Sequence, residues 1–266
     1  MGHTSTRTNH SAGESARLVI AVDGPSGSGK SSVCQEAARR LGAHYLDTGA
    51  MYRAATWYCL DRELDLDDQD AVAVALEELP LKISTDPDHQ VIMVGATDVT
   101  EAIRQSRISE KVSEVANNRK ARPLLISAQR DIIDASEFIV AEGRDVTTVV
   151  APDAQVRVLL TASAEVRLAR RGLQLGGSAS SEALNRQVIG RDKRDSVTTN
   201  FTEAADGVGV LDSSDLSFDQ TVDSLIERVR DVQETDPAGV SRPTVSAQAK
   251  SGSEPTSGAA AHGKNL

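Results

Sequence analysis

The densest chemistry in the chain lies near its start, where Gly24-Pro25-Ser26-Gly27-Ser28-Gly29-Lys30-Ser31-Ser32 satisfies the spacing G-x-x-x-x-G-K-[ST]. Glycines at 24, 27 and 29 let a backbone turn tightly and aim its amide hydrogens inward, so that phosphate oxygens sit in a nest at a helix N-terminus. Lys30 supplies a positive charge to the outer phosphates, Ser31 a hydroxyl oxygen suited to Mg²⁺, and Ser32 one more hydrogen bond to phosphate. A plain Gly/Ser turn is the simpler reading, but both flanks agree with the motif: an apolar strand at Leu18–Val22 before it and a helix at Ser31–Leu41 after it. The implied ligand is a nucleoside triphosphate, which leaves a kinase, a GTPase and a motor open. A guanine-specific GTPase would need Asn-Lys-x-Asp; the nearest stretch, Asn117-Asn118-Arg119-Lys120, has the wrong order and no aspartate.

Three further segments carry charge where ligands bind. Tyr45–Arg53 reads as a strand end, a turn at Gly49 and a helix start, in which Thr48 can cap the helix and Arg53 can offer two parallel donors to a phosphate. A capped helix with no ligand is the alternative. Phe138–Thr148 places Glu142, Arg144 and Asp145 just beyond a buried strand, the usual position of ligands in open α/β sheets. Val188–Ser196 crowds Arg191, Lys193 and Arg194 against Asp192 and Asp195 on an expected helix end, which alone could be a solvated surface.

The elements that must position these residues alternate between short β-branched runs and longer helical stretches, the order of an α/β fold with a parallel sheet. Further strands are expected at Phe138–Ala141 and Gln155–Leu160, and helices at Met51–Asp61, Ile108–Ala135, Ala164–Leu175, Glu182–Asp195 and Phe218–Asp231. Residues 80–100 read as short antiparallel pieces around the turn Asp86-Pro87-Asp88-His89. Residues 1–16 and 235–266 are small, polar and poor in apolar positions, so a mobile arm and a disordered tail are expected around a folded domain at 17–234. The net charge is -10, of which -11 falls on 17–234, and this argues against a nucleic-acid partner. No apolar run reaches the length of a membrane span, and Met1–Arg17 carries no secretory apolar stretch, so a cytoplasmic protein without a membrane partner is expected. Cys34 and Cys59 fit reduced, partly buried thiols, and the five histidines show no ligand-like clustering.

Taken together, G-P-S-G-S-G-K-S, L-D-T-G-A-M-Y-R, E-G-R-D-V-T-T-V-V and R-D-x-R-D-S resemble the bacterial cytidylate kinase family over nearly all of residues 17–234. The resemblance implies an α/β P-loop kinase fold: a central parallel sheet flanked by helices, a small antiparallel insertion for the nucleoside monophosphate at about 64–105, and a helical lid at about 170–195. It implies ATP contacts at Gly24 through Ser32, including Pro25, Ser26 and Ser28, with Ser31 as the Mg²⁺ ligand. It also implies acceptor contacts at Thr48, Tyr52, Arg53, Ser113, Arg122, Arg144, Asp145, Arg191 and Asp195. Ser113, Arg122 and Asp145 would meet the cytosine, Arg53, Arg144 and Arg191 the phosphates, and Asp195 the sugar. One departure stands out: the family carries another arginine where this chain has Thr198, and Arg170, Arg171, Lys193 or Arg194 would have to compensate.

Elementary chemistry agrees with the base assignment, because a carboxylate can accept from the cytosine amine while an arginine donates to its ring nitrogen or carbonyl. Uracil reverses two of those groups. The implied reaction is transfer of the γ-phosphate of ATP to CMP or dCMP, with Lys30, Arg53, Arg144 and Arg191 neutralising charge and lid closure excluding water. The competing readings are another small P-loop kinase, acting on a different nucleoside monophosphate or on a metabolite such as shikimate, and a nucleotide switch module. The family resemblance favours a monomer.

Overall fold

A computed structural model describes residues 17–174, 176 and 180–235. The expected N-terminal arm, the tail beyond Thr235 and Leu175 lie outside the described residues. The chain runs through β1 (Leu18–Asp23), α1 (Lys30–Leu41), β2 (His44–Asp47), α2 (Thr48–Asp61), α3 (Gln69–Glu77), β3 (Leu81–Ile83), β4 (Ile92–Val94) and β5 (Thr97–Asp98). It continues through α4 (Ser106–Ala116), α5 (Ala121–Asp134), β6 (Phe138–Gly143), β7 (Val156–Thr161), α6 (Ala164–Gln174), α7 (Ser181–Asn185), α8 (Arg191–Asp195), β8 (Gly209–Asp212) and α9 (Phe218–Thr235).

β1 is the centre of a five-stranded parallel sheet of order β2-β6-β1-β7-β8. Its residues are buried on both faces, as the continuous apolar run requires. Alternation divides them: Leu18, Ile20 and Val22 pack with α1 and with Val222, Leu225 and Val229 of α9. Val19 and Ala21 face the other way, toward Met51 of α2 and Ile133 of α5. A third apolar cluster joins α2, α4 and α5 to α3 and the antiparallel sheet β3-β4-β5, so that small sheet is anchored through α2. The central parallel sheet, its flanking helices and the small antiparallel sheet match the expected fold class.

Three expectations are corrected. The long helix at Ile108–Ala135 is two helices, because buried Asn118 interrupts it: its Oδ1 accepts from the amides of Lys120 (2.9 Å) and Ala121 (3.0 Å), and its Nδ2 donates to the Gln69 carbonyl. Those bonds start a new helix, and Pro123 falls in its first turn, where a missing amide hydrogen is tolerated. The helix at Glu182–Asp195 changes its winding, with a π-helical stretch at Arg186–Gly190 between α7 and α8. β8, a four-residue strand pairing with β7, carries too short a pattern to be expected. Among the described residues no helix is long and apolar enough to cross a membrane.

Candidate functional site

The C-terminal ends of β1, β2 and β6 meet at one edge of the sheet, the place where open α/β folds bind ligands. The glycine-rich loop leaves β1 there. Gly24 has a φ of 157°, and a Cβ on it would lie 2.1 Å from the Leu160 carbonyl oxygen, a backbone atom of β7 that cannot swing away. Gly24→Ala should therefore lower stability by at least about 2 kcal/mol, seen as a fall in Tm on thermal unfolding.

Arginines tie down the loop carbonyls. Arg144 donates to the Gly24 carbonyl (2.6 Å) and to Ser26 Oγ (2.8 Å), Arg167 to the Ser26 carbonyl (3.0 Å), and Arg170 to the Ser28 carbonyl (2.9 Å). The Ser26 amide donates to Asp192, which also pairs with Arg167. Helices α6 and α8, the second within the span expected as a lid, are thereby joined to the phosphate loop. Gly29 precedes α1, and Lys30 is the helix's first residue. Its Nζ lies 3.3 Å from Glu142, which also accepts from Ser31 Oγ at 2.5 Å and Tyr45 at 3.3 Å. Burial pushes the Glu142 carboxyl up, against the pull of Lys30. Ser31 and Ser32 are exposed to solvent.

α2 starts one residue after the end of β2, and its cap differs from expectation. Asp47, not Thr48, is the N-cap, accepting from the Ala50 amide at 2.9 Å. Thr48 is the first helical residue, and its hydroxyl donates to the Glu142 carbonyl (2.8 Å), clamping α2 to β6. Asp47 also holds Arg53 at 2.8 Å. Burial alone would raise the Asp47 carboxyl, but the Arg53 charge and hydrogen bond bring it below the ordinary range.

Arg144 and Arg191 line one cleft, and Arg53, held by Asp47 outside its lining, is near enough for its charge to act on Arg191. Arg191 is pushed down to about 10 by burial, then by repulsion from Arg144, and Arg53 adds to it. Asp195 partly balances the group, lying 3.2 Å from Arg144 and 3.4 Å from Arg191, while Arg144 stacks on the Phe201 ring at 4.3 Å. Cations crowded in this way, one of them with its charged form disfavoured, make a place for an anion. The same cleft is also lined by Tyr52, Arg122 and Asp145, the last two joined as a buried ion pair. Asp145 is aimed by Asp23, whose carboxylate accepts from the next two amides, those of Val146 (2.8 Å) and Thr147 (2.9 Å), and from the Thr147 hydroxyl.

Of the residues expected to meet an acceptor, Thr48, Tyr52, Arg122, Arg144, Asp145, Arg191 and Asp195 line the cleft, while Arg53 and Ser113 do not. Ser113 is buried and spends its hydroxyl on Asp195 (2.7 Å), so it sits behind the cleft wall formed by Val112 and Ala116. Thr198 lines the cleft and donates to Asn117 (2.7 Å). Of the cations named to compensate for it, Lys193 and Arg194 are exposed, Arg170 is committed to the loop, and Arg171 lies close enough to Arg53 for the two charges to interact. Asp23, Asp47 and Arg167 are functional neighbours absent from the expected site. Asp23 stands at the strand end just before the loop motif and Asp47 at the strand end inside L-D-T-G-A-M-Y-R, a signal that could have found them; Arg167 has none.

The cytidylate kinase family model matches residues 20–231. A cytidylate kinase of Nocardia farcinica is 46% identical over 217 residues, covering 80% of this chain and 93% of its own length. One from Cutibacterium acnes is 44% identical over 216 residues, covering 80% of this chain and 96% of its own length. With the motif-bearing strand ends, the insertion and the lid all inside the matched span, the chain belongs to the cytidylate kinase family.

Proposed function

We propose that this enzyme transfers the γ-phosphate of ATP to CMP or dCMP, releasing ADP and CDP or dCDP. The observation that carries the reading is one cleft beside the phosphate loop, lined by Arg144, Arg191 and the Arg122–Asp145 pair, with Arg53 close enough to act on Arg191. An acceptor phosphate would sit among the arginines and a pyrimidine edge against the pair. The phosphate oxygen of the acceptor is the nucleophile; it attacks the γ-phosphorus as the bond to the β,γ-bridging oxygen breaks. That oxygen carries no proton to remove, so no general base is assigned.

Positioning and charge do the work. Lys30 and the loop amides hold the donor phosphates, and Arg144, tied to Gly24 and Ser26 while facing the cleft, stands between donor and acceptor. Ser31 Oγ beside the Glu142 carboxylate is a hard-oxygen donor set that suits Mg²⁺. The ion would be held by Ser31 and would add positive charge over the donor phosphates. Arg167 and Asp192 link the lid to the loop, so lid position and loop geometry change together, which excludes water when both substrates are bound. The acidic shell around these cations suits small anions and not nucleic acid, and one chain supplies every residue named.

A coupled ADP-release assay with CMP, dCMP, UMP, AMP and shikimate tests the assignment. CMP or dCMP should exceed the other acceptors in kcat/KM by at least about tenfold. Preference for AMP or shikimate would overturn it.

A further inference from the structure

Gln129 lies on α5 seven residues after Arg122, two turns along the same helix face. Its side chain is completely shielded from solvent, yet neither Oε1 nor Nε2 has a hydrogen-bond partner. The Tyr52 hydroxyl, on α2, is buried and likewise unpartnered. The two groups are neighbours: Gln129 is close enough to act on the acidity of the Tyr52 phenol, although no hydrogen bond of ordinary geometry joins them. Burial pushes that phenol up to about 12, with the Arg122 charge opposing and the Asp145 charge reinforcing the shift.

Three buried polar atoms without partners are costly, and unpaired groups of this kind are rare enough in folded interiors to call for a cause. Tyr52 is the only one of the two residues that reaches the cleft, where its ring forms part of the wall beside Arg122 and Asp145.

We propose that Gln129 is a positioning residue for the acceptor: nucleoside monophosphate binding presses the Tyr52 ring into place, and the ring is then latched by a hydrogen bond from the Tyr52 hydroxyl to the Gln129 side-chain oxygen. The inference rests on the CMP reading above. Because the latch forms with the acceptor and not before it, it adds to acceptor affinity and not to the stability of the free protein. Because Gln129 does not line the cleft and would act only through Tyr52, it would serve CMP and UMP alike.

Gln129→Met keeps the length of the side chain and removes the amide; Tyr52→Phe removes only the hydroxyl. Each should raise KM for CMP by about tenfold while KM for ATP stays within about twofold. The double variant should be no worse than either single one, since both remove the same bond. The free Gln129→Met protein should melt no lower than wild type, the CMP-induced rise in Tm should shrink, and the CMP/UMP ratio of kcat/KM should hold. A lower Tm of the free variant with an undiminished CMP-induced shift would make Gln129 a packing residue and overturn the latch. So would a wild-type KM for CMP in Gln129→Met, or losses that multiply in the double variant. If wild type itself shows no CMP-induced shift, the CMP reading falls and takes the latch with it; a normal wild-type shift that Gln129→Met shares removes the latch alone.

Discussion

Lys30→Met should lower kcat for CMP phosphorylation by about a thousandfold, the scale on which a cation over a transferring phosphoryl group acts. Lys30 is mostly enclosed, with its ammonium 3.3 Å from Glu142, so the charge is already in place before substrate arrives. Methionine fills much of the same volume, and Glu142 keeps its bonds from Ser31 and Tyr45, so folding survives. The substitution leaves a measurable trace on stability. Glu142 is held above the ordinary carboxylate range by burial, and Lys30 is the main pull in the other direction. Without Lys30 the folded-state value rises further, and a carboxyl raised on folding loses its contribution to stability as pH climbs through that value. The gap in Tm between variant and wild type should thus be small at about pH 5 and wider at about pH 8. A kcat within tenfold of wild type, with melting intact, would take the loop out of the reaction.

What the sequence made legible and what it hid divide along chain distance. The phosphate loop, Arg53, Arg144 and Asp145 are read from contiguous motifs because each motif contains its own strand end, turn and helix start. The parts that escaped depend on partners far along the chain. Ser26 meets Asp192 across 166 residues, and Thr48 meets the Glu142 carbonyl across 94. That second contact also explains the misassigned cap: a tertiary acceptor claimed the Thr48 hydroxyl, and Asp47, one residue earlier, took the local role. The broken helix at Asn118 has the same origin, since its side-chain oxygen accepts from the start of the next helix while its Nδ2 donates to the distant Gln69 carbonyl. Apolar periodicity runs straight through such a residue. The insertion was legible because its pattern switches from helical to alternating spacing, whereas β8 offers four residues and one inward side chain.

Asp145→Asn should reduce the CMP/UMP ratio of kcat/KM by about a hundredfold, mainly through loss on CMP. Asp145 is 5% exposed and paired with Arg122, so a base edge placed against it, as proposed, would meet a site where an unmatched polar group is costly. A carboxylate can only accept, which suits the cytosine amine and repels the uracil carbonyl at the same ring position. Asparagine is nearly the same size and can present either its oxygen or its amine, so the discrimination at that atom disappears. The ratio should relax without inverting. Arg122 can only donate, and a donor still favours the bare ring nitrogen of cytosine over the N–H of uracil. The backbone around position 145 should stay put, because Asp23 holds the two following amides and the substitution leaves those bonds alone. Unaltered ATP affinity and a cooperative melt would show that the change is confined to the acceptor. A CMP/UMP ratio within threefold of wild type would mean that the base is read elsewhere in the cleft, and the Arg122–Asp145 pair would then be a structural tie between α5 and the end of β6.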